Sequence, residues 1–180
     1  MPSRSITLFV LALIAAAGPA LAQSPASPLA GCGTTDPGFH TTFGEAGDKT
    51  PPEAPDKATV YVIAIRNSSD TGRAGRPAVR FGLDGTWIGQ TKGLSFLRFP
   101  ADPGTHHACA SWQSMLNGGQ TQFSLLNFNV EAGKTYYLRL KINIDGAQSL
   151  GSGSIDLEPV STDEGRYLVS IAPRIISRPK

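Results

Sequence analysis

The sequence predicts an all-β domain, an antiparallel two-sheet β-sandwich of immunoglobulin-like layout with about eight strands and a short C-terminal helix. Three observations carry that expectation. Short apolar runs recur between turn residues, the segment Lys134 to Ile144 alternates strictly, and neither a βαβ spacing nor an internal repeat is present.

Thr59 to Ile65 (TVYVIAI) is apolar on both faces and reads as a central strand covered from both sides. Asn67 to Pro77 follows as a polar, glycine-rich loop. Arg80 to Leu83 and Thr86 to Gln90 flank Asp84-Gly85, a dipeptide that supplies the positive φ angles of a two-residue hairpin turn. Lys92-Gly93 leads into Leu94 to Phe99, and Pro100 to Gly104 leads into Thr105 to Gln113, so four strands in sequence order are expected to pair as a meander. After a turn at Asn117-Gly118-Gly119, Phe123 to Val130 places Leu126, Phe128 and Val130 on one face.

In Lys134 to Ile144 the residues Tyr136, Leu138, Leu140, Ile142 and Ile144 share a core face, and Tyr137, Arg139, Lys141 and Asn143 share a wet one. Ile155 to Val160 contains Pro159, as an edge strand would. Ser161 followed three residues later by Glu164 is a capping box, set before Tyr167, Leu168 and Ile171. A short helix is expected there, weakened by Gly165.

Around this domain, residues 57–172, the chain has three other parts. Residues 1–22 run from Arg4 through an uncharged stretch, Ile6 to Ala17, to Ala20-Leu21-Ala22, which is the order of a secretory signal peptide cleaved before Gln23. The apolar run is too short to span a bilayer comfortably. Removing 22 of 180 residues leaves 158, enough for one domain. Residues 23–56 are rich in Pro, Gly, Ser and Thr and read as an extended arm, and residues 173–180 read as a loose tail.

Without Arg4, 15 basic residues face 14 acidic ones, and the basic residues are scattered singly, with no patch to follow a phosphate backbone. Nucleic acid is not an expected partner. The protein is expected in the periplasm or outside the cell.

The ordered set Leu83-Asp84-Gly85-Thr86-Trp87-Ile88-Gly89, Asp102-Pro103-Gly104-Thr105-His106-His107, Cys109-Ala110-Ser111-Trp112, Glu131-Ala132-Gly133-Lys134-Thr135-Tyr136-Tyr137 and Thr162-Asp163-Glu164-Gly165 resembles the bacterial domain-of-unknown-function family 2846. The resemblance covers roughly Lys57 to Ser170 and implies an exported all-β domain without an assigned activity. The layout is also similar to PEGA-type envelope modules, which bind or build structure.

The two cysteines, Cys32 and Cys109, form an even pair in an exported chain and are disulfide candidates. With Trp112 marking the core, alternation turns Cys109 outward, where the arm can reach it. Leu29-Ala30-Gly31-Cys32 also spells a lipobox, and lipidation of Cys32 would be the one route to a membrane, although six residues, Gln23 to Pro28, separate the box from the leader. A metal set of Cys32, His40, His107 and Cys109 is conceivable but lacks ligand spacing, and His106 points to the other face.

For catalysis, Ser111 with His107 is the one suggestive pair, and Asp84, Asp102, Asp145 and Asp156 are the nominal carboxylates. None has supporting context, so no catalytic residue, cofactor or metal is expected. Trp87, after the hairpin turn, and Tyr137, on the expected wet face, are the aromatic candidates for an exposed binding surface. The expectation is a monomeric, non-catalytic module that binds or organises an envelope component, with an envelope-polymer hydrolase or a tethered lipoprotein as the alternatives.

Overall fold

Strand β2 (Ala58–Ser68) fills the middle of the molecule, as its two apolar faces require. The structure is a computed structural model that describes residues 31–33, 37–49, 55–68, 76–113, 121–144 and 153–180. The leader, residues 23–30, 34–36 and 50–54 of the arm, most of the Asn67 to Pro77 loop, the Asn117-Gly118-Gly119 turn and Asp145 lie outside the described residues.

Two sheets stack as a sandwich, and a helix covers the outer face of the larger one. The larger sheet has six strands in the order β1 (Phe39–Ala46), β10 (Pro173–Pro179), β5 (Ser95–Ala101), β2, β8 (Thr135–Ile144) and β9 (Gly153–Pro159). The smaller has four, in the order β4 (Thr86–Lys92), β3 (Ala78–Leu83), β6 (Gly104–Gln113) and β7 (Thr121–Val130). Between the sheets lies the main core, with Val60, Val62, Phe81, Trp112, Leu138 and Leu140 buried together. Burying such side chains is worth about 2 kcal/mol each, which makes this layer the chief source of stability.

Helix α1 (Thr162–Ile171) explains the second face of β2. Gly165, Leu168, Val169 and Ala172 recur at helical spacing on one side, and they pack on Ile63, Phe96 and Tyr137 of the large sheet. Only half of the expected capping box closes. Ser161 Oγ accepts the Glu164 N–H at 3.2 Å, while the Glu164 carboxylate pairs with Arg139 of β8. The acid ties the helix to the sheet instead of folding back on the cap.

Four expectations need correction. Among the described residues the sandwich has ten strands, not eight, because residues 173–179 form a strand rather than a loose tail and residues 39–46 of the arm belong to the sheet. These two polar segments pair with each other from Phe39↔Pro179 to Ala46↔Pro173, and β10 adds itself parallel to β5 at Arg174↔Phe96. Each supplies the ladder that the other lacks.

The expected meander is also broken. Strand β5 leaves for the large sheet between β10 and β2, and β6 returns to pair with β3. Phe96, Leu97 and Phe99 bury side chains on both faces of β5, so the half-wet sheet could not have held it. The large sheet is mixed rather than purely antiparallel, since β2 and β8 pair in parallel over ten residue pairs from Thr59↔Thr135 to Ser68↔Ile144.

Lastly, Tyr137 is not on a wet face. Helix α1 covers it, and its ring stacks on Tyr61 at 5.1 Å. Gly165, expected to weaken the helix, is what lets the helix sit this close, because a Cβ there would fall 2.1 Å from Tyr137 Cγ. Tyr137 is on the helix side of β8, so it drops out as a binding aromatic.

A substitution separates helix propensity from packing. Gly165→Ala should gain up to about 1 kcal/mol in propensity yet destabilise the protein by about 1–3 kcal/mol net, because the tyrosine cannot withdraw from under the helix. Urea unfolding of the two proteins checks this, and a more stable variant would contradict the contact.

Candidate functional site

The β3–β4 hairpin turn, the β5–β6 turn that crosses between the sheets and the arm meet at one end of the sandwich, and most of the candidate residues gather there. The β3–β4 turn places Asp84 at φ 48° and Gly85 at φ 79°, the two positive angles that the Asp-Gly pair was expected to supply. Asp84 points back over β6. Its Oδ1 accepts the His107 N–H at 2.8 Å, its Oδ2 lies 2.5 Å from His106 Nδ1, and its own N–H donates to the His107 carbonyl at 2.9 Å.

His106 is the buried member of this cluster. Its Nε2 lies 2.7 Å from the Asp102 carbonyl, and its ring packs against Phe128. Both ring nitrogens therefore face acceptors, and only the doubly protonated imidazolium can donate to both. Burial works against that charge, but the Asp102 carbonyl and the Asp84 carboxylate outweigh it and raise the His106 pKa. For Asp84, partial burial is likewise overcome by the His107 N–H and His106, and its pKa falls. Asp102 completes the end by pairing with Lys57, whose pKa this hydrogen bond raises.

Chemically this is a latch between two turns. A histidine whose nitrogens are both engaged has no lone pair for a proton or a metal. His107, on the opposite face of β6 as expected, is partly exposed, with Nδ1 3.8 Å from Asp84 Oδ1. Ser111 is buried four residues further along the same strand, about 13 Å away at strand rise, so the pair cannot act as nucleophile and base.

The cysteines do come together. Cys32 and Cys109 form a disulfide with Cα atoms 5.1 Å apart, and Cys109 is fully buried beneath the arm. The arm lies flat on β3 and β6 because glycines meet there. A Cβ on Gly31 would fall 2.5 Å from the His107 carbonyl oxygen, and one on Gly82 would fall 2.6 Å from the Gly31 carbonyl oxygen. With both sulfurs bonded to each other, the four-ligand metal set is not assembled, and the Cys32 sulfur is not open to a lipid. His40 sits on β1 in the other sheet.

Trp87 is half-buried rather than a free platform. Arg80 stands over its ring at 5.4 Å, and a Cβ on Gly33 of the arm would fall 2.2 Å from its Cδ1. Among the nominal carboxylates, Asp156 accepts from Asn143 at 3.0 Å on the edge of the large sheet, far in sequence and sheet from Asp84 and Asp102.

Two charge clusters were not foreseen. Asp48 and Arg98 form a buried ion pair, 3.1 Å between Oδ2 and Nε, and Tyr61 donates to Asp48 at 2.7 Å. Burial, with Asp48 alongside, pushes the Tyr61 pKa up to about 12. Arg139 joins Glu158 of β9 to Glu164 of α1, with Lys141 also on Glu158, and these cations lower the Glu158 pKa. Only the alternation of β8 hinted at the second cluster.

The class that fold and site define is a disulfide-pinned β-sandwich. No family model matches the chain, and no curated protein or solved structure matches it either.

The latch sets a pH window. The raised His106 pKa makes its contribution complete below the ordinary value of 6.5 and lost as pH rises through the higher folded value. The lowered Asp84 pKa makes its contribution complete above 3.8 and lost as pH falls through the lower folded value. Between those limits, His106→Ala should cost about 2 kcal/mol, moderated because Asp84 is partly exposed, and the difference from wild type should shrink as pH rises above the ordinary histidine value and through the higher folded one. Chemical unfolding at a series of pH values checks it; a cost independent of pH would contradict the latch.

Proposed function

We propose that this chain is a non-catalytic, exported β-sandwich module that binds or organises a component of the bacterial cell envelope. The observation that carries this reading is how the charged clusters are used. Asp84 with His106 joins two turns, Arg139 joins β8 to β9 and α1, and Asp48 joins Arg98 within the large sheet. Each spends its titratable groups on holding elements together, and catalysis instead needs such a group free to exchange a proton with substrate.

Export is supported by the leader-like residues 1–22 and by the disulfide, since such bonds persist in oxidising compartments. The resemblance to family 2846 points the same way. With the arm fixed to β6 and the Cys32 sulfur bonded, a protein free of a lipid tether is the favoured form.

Intact mass of the protein from its own cells, alkylated with and without reduction, tests the address. The expected chain starts at Gln23 and labels both cysteines only after reduction; a chain starting at Cys32 with added acyl mass would overturn it. Sedimentation with isolated peptidoglycan sacculi and outer-membrane vesicles tests the role. Binding without release of reducing ends or free amines is expected, and turnover abolished by His107→Ala would overturn the non-catalytic reading. Cys32→Ala should cost about 4 kcal/mol of stability for a separation of 77 residues, measured by denaturant unfolding under oxidising conditions.

A further inference from the structure

Among the described residues the sandwich has four strand edges, and three of them are blunted. Strand β4 lies along β10, with its Gln90 N–H donated to Ser177 Oγ at 2.9 Å. Strand β9 carries Asp156, Glu158 and Pro159, and its Leu157 N–H is taken by Ser124 Oγ at 2.8 Å. Strand β1 carries Glu45 and loses its regular pairing between Phe43 and Ala46. Charges, proline and irregularity are the usual protections against edge-to-edge pairing.

Strand β7 packs against β9 through the inward-facing Ser124, but it has none of these protections, and among the described residues none of its backbone groups bonds to β9. Its ten residues, TQFSLLNFNV, include no charge, no proline and no glycine, and it pairs with β6 without a break from Gly104↔Val130 to Gln113↔Thr121. The direction of its unpaired backbone groups follows from β6. The His107 carbonyl accepts from Asp84 on the β3 side, so odd-numbered residues of β6 face β3 and even-numbered ones face β7. Their partners on β7 are Gln122, Ser124, Leu126 and Phe128. Thr121, Phe123, Leu125, Asn127 and Asn129 are therefore left with N–H and C=O groups directed at the open edge. Among the described residues no backbone hydrogen bond outside the ladders reaches them.

The same five residues expose their side chains, Phe123 and Leu125 at 44% each. Apolar surface and unmet hydrogen-bonding groups thus coincide on one neutral strand. A charged partner strand would bury its charge against these side chains at a cost, whereas an identical strand brings none.

We propose that β7 is a self-association edge through which two copies of this chain pair antiparallel, joining their small sheets into one eight-stranded sheet. A two-fold axis at Ser124 sets Phe123 opposite Leu125 of the second copy, twice over, and Thr121 opposite Asn127. All four are hydrogen-bonded positions, so the open groups of these four are met in both copies, and the parity of the register keeps every exposed side chain on its own face. The contact is isologous and closes as a dimer. It departs from the sequence-based expectation of a monomer.

Sedimentation equilibrium of the mature, oxidised protein over a wide concentration range should show a monomer–dimer equilibrium. Leu125→Lys should weaken association at least tenfold without lowering the melting temperature, because the side chain is already half in water. Register is read by cross-linking: Phe123→Cys mixed with Leu125→Cys should form a disulfide-linked pair under mild oxidation faster than either protein alone. A wild type that sediments as a monomer at every concentration would overturn the proposal and leave β7 to a different strand. A Leu125→Lys protein that still dimerises, or cross-linking no faster in the mixture, would overturn it as well. None of these results bears on whether the protein binds envelope material, which the sedimentation with sacculi and vesicles decides separately.

Discussion

Strand β2 is covered on both faces from Ala58 to Ile65, and the rest of the molecule is arranged to satisfy that constraint. Val60, Val62 and Ala64 need a layer on one side, which the small sheet provides; Ile63 needs one on the other, which α1 provides. Its two edges need ladders, and β5 and β8 supply them. A strand of this kind cannot be completed locally. Its parallel partner β8 lies 76 residues away in sequence at Thr59↔Thr135, so the central contact joins distant parts of the chain.

Polar groups in this structure act as fasteners at the joints between apolar layers. The Arg139 guanidinium spans a strand and a helix, the Asp84 carboxylate spans two turns, and Asp48 meets Arg98 where the large sheet is dry. Breaking one partner of a buried pair leaves the other uncompensated, so such joints specify alignment more than they add net stability. The disulfide does similar work for the arm, which otherwise has little apolar surface with which to hold its position.

Local signals in the sequence were reliable, and non-local ones were hidden. The Asp84-Gly85 turn, the alternation of β8, the Ser161 cap and the edge position of β9 each depend on neighbours a few residues apart, and each stands where expected. Strands β1 and β10 were missed because neither contains an apolar run that announces itself; each is a strand only because the other is there. Tyr137 was misplaced because alternation tells which residues share a face but not what covers it. Of the site, the cysteine pair was legible from compartment logic, while the His106 latch depends on a turn geometry that aims Asp84 backwards.

Pairing β1 with β10 gives the molecule an order of assembly. Ribosomes make the chain from the amino end, so β1 is finished long before Pro173–Pro179, the residues of the strand it must zip against. Until those residues are free, β1 has no ladder and β5 has one bare side. A protein stalled or clipped just short of Pro173 is thus an open sheet rather than a slightly shorter domain. Strand β10 acts as a seal, and without it neither β1 nor the open side of β5 is closed.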